Sequence, residues 1–253
     1  MRRLLVPYGV FAALHLLLWI ILNRKSHGRL PELLINILIY PNADAFPIAG
    51  GLWFLVSLFV SECIVLSVIT AIPKRKISDL FFVGMLLFAG VCTRLLPFDL
   101  PFTLDSSCVG AGIFYFAFRI RAKWNCAMDC AVECSRWFLL LCTIAVTISI
   151  LIHKTINIRV VWLGTIPVFW WINALAAIFL LWYYAKRLTK FQSLRWLCHG
   201  LSQIGRDSIV YLSLNQLTIL VLRMLYPHAG AILIAVLTMI VLVICSRILN
   251  HPY

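Results

Sequence analysis

Eight stretches of this 253-residue chain are each long and apolar enough to cross a lipid bilayer, and few residues lie outside them. About 20 apolar residues in an α-helix span the roughly 30 Å hydrocarbon layer, because each residue adds about 1.5 Å. Hydrophobic residues form 63% of the chain and charged residues only 12%. The sequence therefore predicts an all-α, polytopic membrane protein whose single domain covers residues 1–253. The predicted transmembrane helices are Leu4–Leu22, Leu52–Ile72, Leu80–Leu96, Phe102–Ile120, Trp137–Ile152, Val160–Tyr184, Ile209–Leu225 and Ala229–Leu249.

The 22 Lys and Arg residues are distributed unevenly between the predicted loops. With a cytoplasmic N-terminus, fifteen of them fall on the cytoplasmic side and seven on the other. The positive-inside rule associates this asymmetry with an N-in, C-in topology, and we expect a multi-pass protein of the plasma or inner membrane. The net charge of +13 then favours contact with anionic lipid, and no nucleic-acid partner is expected. Alternatively, the basic clusters at 74–76, 119–123 and 186–190 bind a polyanionic cytosolic ligand such as a nucleotide or coenzyme A.

The nine cysteines do not predict a metal site. Most of them lie in apolar spans, where cysteine behaves as a small hydrophobic residue. Cys126, Cys130 and Cys134 share one helical face because of their four-residue spacing, but the neighbouring acids Asp129 and Glu133 lie on another face and supply no fourth ligand. Reversible acylation of these thiols is the alternative, and no metal is expected.

The long connection at 23–51 contains a shorter apolar segment at 30–40. Pro31 is favourable in the first turn of a helix, and eleven residues are too few to cross a bilayer. We predict a short helix that lies at the membrane interface or re-enters the membrane.

Two segments carry most of the functional information. The second predicted span opens with GLWFLVSLFVSE (51–62), and the seventh opens with IGRDSIVYLSLNQ (204–216). The two segments resemble motifs of the family-3 integral-membrane acyltransferases, in the branch similar to fucose 4-O-acetylases. The segment RRLLVPY (2–8) is similar to the beginning of that family's third helix, and the loop 96–105 also has a counterpart there.

The resemblance implies a membrane-bound O-acyltransferase that moves an acyl group, such as acetyl, from acyl-CoA to a hydroxyl of a surface or exported glycan. The donor is then acyl-CoA (acetyl-CoA), no metal is used, and the partners are membrane lipid and the glycan acceptor. The residues that match the family's functional positions fall into three groups: catalytic, Glu62, Arg3 and Asn215; substrate-binding, Trp53, Asp105, Ser106, Ser208 and Tyr211; and coenzyme-binding, Arg2, Arg119 and Arg206.

The chain also departs from the family pattern. The family has ten helices, and its first helix carries a histidine regarded as catalytic; this chain matches from the third helix on, so the resemblance implies N-terminal truncation. Asn215 stands where the family usually has histidine, and asparagine cannot take a proton at neutral pH. The alternatives are a catalytically inactive fragment of the family, or a transporter of small solutes or glycolipids in which Glu62 and His15 line a polar path.

Several candidate residues have a structural interpretation beside the functional one. Glu62 lies near the middle of its predicted span, where an ionisable group costs several kcal/mol unless it faces a polar cavity or a partner. It therefore serves an active site or an interhelical hydrogen bond. Trp53 is an interfacial anchor or a substrate platform. Asp105 and Ser106, expected at the outer end of a span, cap a helix or bind sugar hydroxyls.

The remaining candidate residues also have structural interpretations. Ser57 and Ser61, spaced by four residues, predict close helix packing. His15 is expected to be a hydrogen-bonded structural histidine. Asp207 and Ser208 have the pattern of an N-cap and a first helical turn, or take part in chemistry.

Overall fold

The computed structural model of the protein describes residues 2–22, 30–41, 51–71, 79–96, 98, 100–133, 136–152, 157–158, 161, 163 and 167–249. Within these ranges, the side chains at 2–3, 22, 71, 79–80, 120–133, 136 and 167–168 lie outside the description.

Ten α-helices account for nearly all of the described residues, and these residues include no strand. The prediction of an all-α protein is confirmed for this part of the chain. Two short 3-10 helices, Pro101–Thr103 and Gln192–Leu194, each lead directly into an α-helix. The α-helices are α1 (Arg2–Leu22), α2 (Leu30–Leu38), α3 (Leu52–Ala71), α4 (Asp79–Thr93), α5 (Leu104–Glu133), α6 (Arg136–Ile152), α7 (Pro167–Leu188), α8 (Arg195–Arg206), α9 (Ser208–Leu225) and α10 (Ala231–Leu249).

Four of these helices are long and apolar enough to cross a membrane, which supports a membrane protein. They lie in α1, α3, α9 and α10, at Leu4–Ile21, Leu52–Thr70, Ser208–Leu225 and Ala231–Leu249. Their positions match four of the eight predicted spans. Helices α4 and α6 also coincide with predicted spans, and their apolar parts are shorter, Phe81–Thr93 and Trp137–Ile152.

The short helix predicted at 30–40 is present as α2, with Pro31 in its first turn. Its Leu33 and Ile37 are buried, and the Tyr8 hydroxyl of α1 donates a hydrogen bond to the Ile37 carbonyl. Two residues further on, the Ile39 carbonyl accepts a hydrogen bond from the backbone N–H of Phe102, with an N–O distance of 2.7 Å. Both backbone contacts therefore hold the C-terminal end of α2 in place.

The contacts within the chain divide it into two compact units. Unit 1 comprises Met1–Val60, Phe98–Leu104 and Gly200–Tyr253. Its apolar core joins α1, α2, the first half of α3, α9 and α10 through the buried residues Leu4, Phe11, Ala12, Trp19, Leu33, Ile37, Leu52, Leu55, Leu214, Leu217 and Leu242. The close approach of α3 to α9 in this unit occurs at Gly51, because a Cβ there would clash with the carbonyl oxygen of Leu212.

Unit 2 comprises Ser61–Pro97 and Asp105–His199. One apolar cluster joins the second half of α3 to α4 and α5 through the buried residues Val65, Phe82, Val83, Leu86, Ala111 and Tyr115. A second cluster, Val109, Val161, Leu163 and Trp170, joins α5 to α7. Helices α6 and α7 also pack on each other, with Phe138 and Phe179 in an edge-to-face contact at 5.5 Å between ring centroids.

Helix α8 was not predicted, because the sequence at Arg195–Arg206 contains no continuous apolar run. None of its 12 residues is buried, and apolar and polar residues alternate along it with helical periodicity. A search for continuous apolar runs cannot detect such a helix, because its average polarity is close to that of a loop.

Candidate functional site at the contact of α3 and α5

The candidate site is built on a contact between small residues of α3 and α5, both within unit 2. The buried Ser61 hydroxyl donates a hydrogen bond to the carbonyl oxygen of Ser107, at 2.9 Å. Gly110, one turn further along α5, faces the same hydroxyl: a Cβ added there would lie 2.7 Å from the Ser61 oxygen. Small residues allow helix backbones to approach closely, so the packing role predicted for Ser61 is confirmed.

This contact fixes where α5 begins relative to α3. Ser61 is the tenth of the 20 residues of α3, whereas Ser107 is the fourth residue of α5. Helix α5 therefore starts beside the middle of α3. We predicted that Asp105 and Ser106 lie at the outer end of a span. Both residues do begin a helix, and the hydrogen bond holds this first turn at the level of the centre of α3; their depth in a membrane stays a prediction.

Three predicted site residues meet at this level. Glu62 follows Ser61 directly and is half-buried. Asp105 is half-buried in the first turn of α5, where a carboxylate interacts favourably with the helix dipole. Ser106 is 2% exposed. Each of the three lies within two residues, along its own helix, of an end of the Ser61–Ser107 hydrogen bond, so the three residues lie at about the same level of α3 and α5.

Helix α4 packs against the same turn of α5. A Cβ added at Gly90 would lie 2.6 Å from a methyl group of Val109 and 3.2 Å from the Asp105 carbonyl oxygen. The glycine thus allows α4 to approach the backbone at Asp105. The first turns of α5 are consequently held by α3 through Ser61 and by α4 through Gly90.

Arg119, a predicted coenzyme-binding residue, lies on the same helix as Asp105. Fourteen residues separate them along α5, which corresponds to about 21 Å in an α-helix. The Arg119 side chain is half-buried. Helix α5 therefore carries a carboxylate at its start and a cation about four turns further on.

The other predicted site residues with described side chains lie in unit 1. Trp53 is half-buried in the first turn of α3, with its ring edge-to-face to that of Phe54 at 6.0 Å between centroids. Tyr211 packs against the apolar core of unit 1. Ser208, Asn215 and Arg206 are exposed at the start of α9, within α9 and at the end of α8. These five residues do not belong to the α3–α5 contact.

Asp207 occupies the N-cap position of α9, as predicted, but its side chain makes no capping hydrogen bond. Its carboxylate instead accepts a hydrogen bond from the Ser246 hydroxyl of α10, at 2.5 Å. Ser246 is 1% exposed. A hydrogen bond to a charged group is worth more than one to a neutral group, which accounts for the orientation of the carboxylate towards α10.

His15 is fully buried in α1, and its Nδ1 lies 2.6 Å from the Phe11 carbonyl oxygen. A carbonyl only accepts hydrogen bonds, so Nδ1 carries a proton in this contact. This geometry agrees with the predicted hydrogen-bonded structural role. The side chains of Arg2 and Arg3 and of the cysteines at 126, 130 and 134 lie outside the described residues. No group of three or more metal-ligating side chains is present among the residues that are described.

The contact between Gly110 and Ser61 gives a test of the helix packing. We expect Gly110→Ala to lower the free energy of unfolding by about 1 kcal/mol, since the new methyl group displaces the Ser61 hydroxyl from its bond. In a Ser61→Gly background the same substitution meets no other atom within 4 Å. There it should stabilise the protein by up to about 1 kcal/mol, because alanine is the better helix former.

Thermal unfolding of the four purified proteins in detergent provides the double-mutant cycle. Gly84→Ala, at a position with nothing within 4 Å of the added Cβ, serves as the control. Equal effects of Gly110→Ala in both backgrounds would contradict the contact.

Comparison of the chain with protein-family models, with curated protein sequences and with solved structures found no match.

Proposed function

We propose that this protein is a membrane-bound O-acyltransferase that transfers an acyl group, with acetyl as the first candidate, from acyl-CoA to a hydroxyl of a surface or exported glycan. The observation that carries the proposal is the level at which α5 begins. Glu62, Asp105 and Ser106 lie beside the middle of α3, a helix long enough to cross the bilayer. Ionisable residues at such a depth are costly and mark functional sites.

The chemistry assigns one role to each carboxylate. Glu62 accepts the proton of the glycan hydroxyl as its oxygen attacks the thioester carbonyl carbon. The tetrahedral intermediate then collapses, the carbon–sulfur bond breaks, and the leaving sulfur of coenzyme A takes the proton from Glu62. Asp105 and Ser106 hold neighbouring hydroxyls of the sugar, so that the reacting oxygen is positioned against the thioester.

The shape of the donor matches the spacing of charges along α5. Coenzyme A carries its phosphates at one end of a long, flexible arm and the thioester at the other. With Arg119 about 21 Å from Asp105 along α5, its guanidinium binds the phosphates while the thioester reaches Glu62. Arg206, Arg2 and Arg3 are further candidates for phosphate contacts, and Trp53, Ser208, Tyr211 and Asn215 for contacts with the acceptor.

The proposal includes a topology. All eight apolar segments cross the membrane, with both chain ends on the cytoplasmic side, and the membrane is the plasma or inner membrane. The fifteen-to-seven distribution of basic residues supports this orientation. Arg119 then lies on the cytoplasmic side, where acyl-CoA is available, and the acceptor approaches from the opposite side.

Radiolabelled acetyl-CoA tests the proposed function directly. Membranes from the organism with the intact gene and from a deletion strain are incubated with the label, and the radioactivity released from the polysaccharide fraction by mild alkali is counted. We expect the deletion to lower this O-acetyl label at least tenfold and the restored gene to recover it. Equal labelling of the two membrane preparations would overturn the proposal. If acetylation were lost only in intact cells, a carrier would be favoured instead.

A further inference from the structure

Helix α8 has an apolar face, half-buried at Leu197 and Ile204 and exposed at Leu201, opposite a basic face. At 100° per residue, Leu197, Leu201 and Ile204 lie on one side of the helix. Arg195, His199 and Arg206 cluster on the other side, and all three are exposed. Trp196, at the border of the two faces, is 73% exposed, and Leu201 is 53% exposed.

Packing against the described part of the protein stabilises α8 only weakly. None of its residues is buried, and an isolated helix of 12 residues is only marginally stable in water. An amphipathic helix with Leu and Ile on one face, cations on the other and Trp at the border is characteristic of segments that lie in a membrane interface.

The charges around α8 are of one sign. The segment 186–206 contains five Lys or Arg residues and neither Asp nor Glu. Four of the five, Arg187, Lys190, Arg195 and Arg206, are exposed; the fifth, Lys186 at the end of α7, is half-buried. Cations near a membrane surface are attracted to anionic headgroups, so the surface complementary to this segment is negatively charged.

The chain connection sets the depth of α8. Only Asp207 separates it from α9, which is one of the helices long enough to cross a membrane. The C-terminal end of α8 therefore lies where α9 enters the bilayer. At that level an exposed apolar face meets the boundary between headgroups and acyl chains, while the basic face meets the phosphates.

We propose that α8 is an interfacial helix that binds anionic phospholipid: Trp196 and Leu201 insert between the lipids, and Arg195 and Arg206 bind the headgroup phosphates. This inference does not depend on the acyltransferase proposal. The partner of α8 is a negatively charged leaflet, and contact with this leaflet stabilises the helix.

Hydrogen–deuterium exchange of the whole protein in lipid nanodiscs tests the proposal. Exchange of the peptide 195–206 is compared between discs of phosphatidylcholine alone and discs in which about one third of the lipid is phosphatidylglycerol. We expect at least about fivefold slower exchange in the anionic discs, which corresponds to one cation–surface interaction. The double variant Arg195→Gln/Arg206→Gln should remove the difference between the two lipids.

Two further variants test whether the lipid dependence arises from the side chains of α8 itself. Arg94→Gln/Arg223→Gln also removes two exposed cations, both outside the segment 186–206, and should leave the lipid dependence unchanged. Trp196→Ser/Leu201→Ser should make α8 exchange rapidly in both kinds of disc. Equal exchange of the wild type in the two lipids would overturn the proposal. So would protection that the Trp196→Ser/Leu201→Ser variant retains, because α8 would then be packed against protein.

Discussion

Glu62→Gln is expected to lower acetyl transfer by at least about 100-fold, the usual contribution of a positioned general base. The amide has nearly the same size and shape as the carboxyl group but cannot accept the proton of the acceptor hydroxyl. The variant should therefore fold normally and lose only the chemical step. The measurement is alkali-labile label transferred from radioactive acetyl-CoA to polysaccharide, in membranes that contain the variant at the level of the wild type.

Two matched variants separate a catalytic role from a general effect of charge. Glu32→Gln removes a carboxylate from the exposed face of α2 and should leave transfer unchanged. Glu62→Asp keeps the carboxylate but withdraws it by one methylene group, so an intermediate loss is expected. If the wild type transfers acetyl and Glu62→Gln transfers it equally well, Glu62 is not the base and the enzyme uses another group.

Gly51→Ala should destabilise unit 1 by about 3 kcal/mol, the upper part of the range for overpacking a close contact. The added methyl group would clash with the backbone carbonyl of Leu212, and a backbone atom within a helix moves less readily than the end of a side chain. For a chain of this size the loss corresponds to a fall in the melting temperature of about 9 °C. Thermal unfolding in detergent, followed by the intrinsic fluorescence of the tryptophans, measures it.

Gly9→Ala is the control for this substitution. Gly9 lies in α1 of the same unit, and a Cβ added there has no atom within 4 Å. Because alanine favours the helix, Gly9→Ala should leave the melting temperature unchanged or raise it slightly. A melting temperature of Gly51→Ala within 1–2 °C of the wild type would show that α3 and α9 do not approach each other as described.

The helices of this protein were predictable where a single physical signal determines them. An apolar run of about 20 residues forms a helix in a membrane because the backbone must satisfy its own hydrogen bonds. Helices α1, α3, α9 and α10 accordingly match their predicted positions. Helix α8 has no such run, and its periodic pattern of apolar residues extends over only 12 residues, so it was not predicted. The eight crossings and their orientation stay predictions.

The site was only partly predictable, because helix pairing depends on contacts that no local pattern encodes. Glu62 stands out in the sequence as an acid within an apolar run. The hydrogen bond from Ser61 to Ser107 exists because α3 packs against α5. The sequence contains several other apolar helices with which α3 could have paired. The neighbours of Asp105 were unpredictable for the same reason: counting residues along an apolar segment does not show which part of another helix lies beside it.

The hydrogen bond between Asp207 and Ser246 has a consequence for how the protein is made. Asp207 precedes α9, and Ser246 lies in the last turn of α10, so the bond joins the two open ends of a helical hairpin. During synthesis the Asp207 carboxylate emerges some 40 residues before its partner, a delay of a few seconds at ordinary elongation rates. If α9 crosses the membrane as proposed, a nascent chain that has inserted α9 alone exposes an acid at the point where it enters the lipid. Once α10 has been synthesised, the Ser246 hydroxyl donates a hydrogen bond to this carboxylate. The bond can form only when both helices of the hairpin are present.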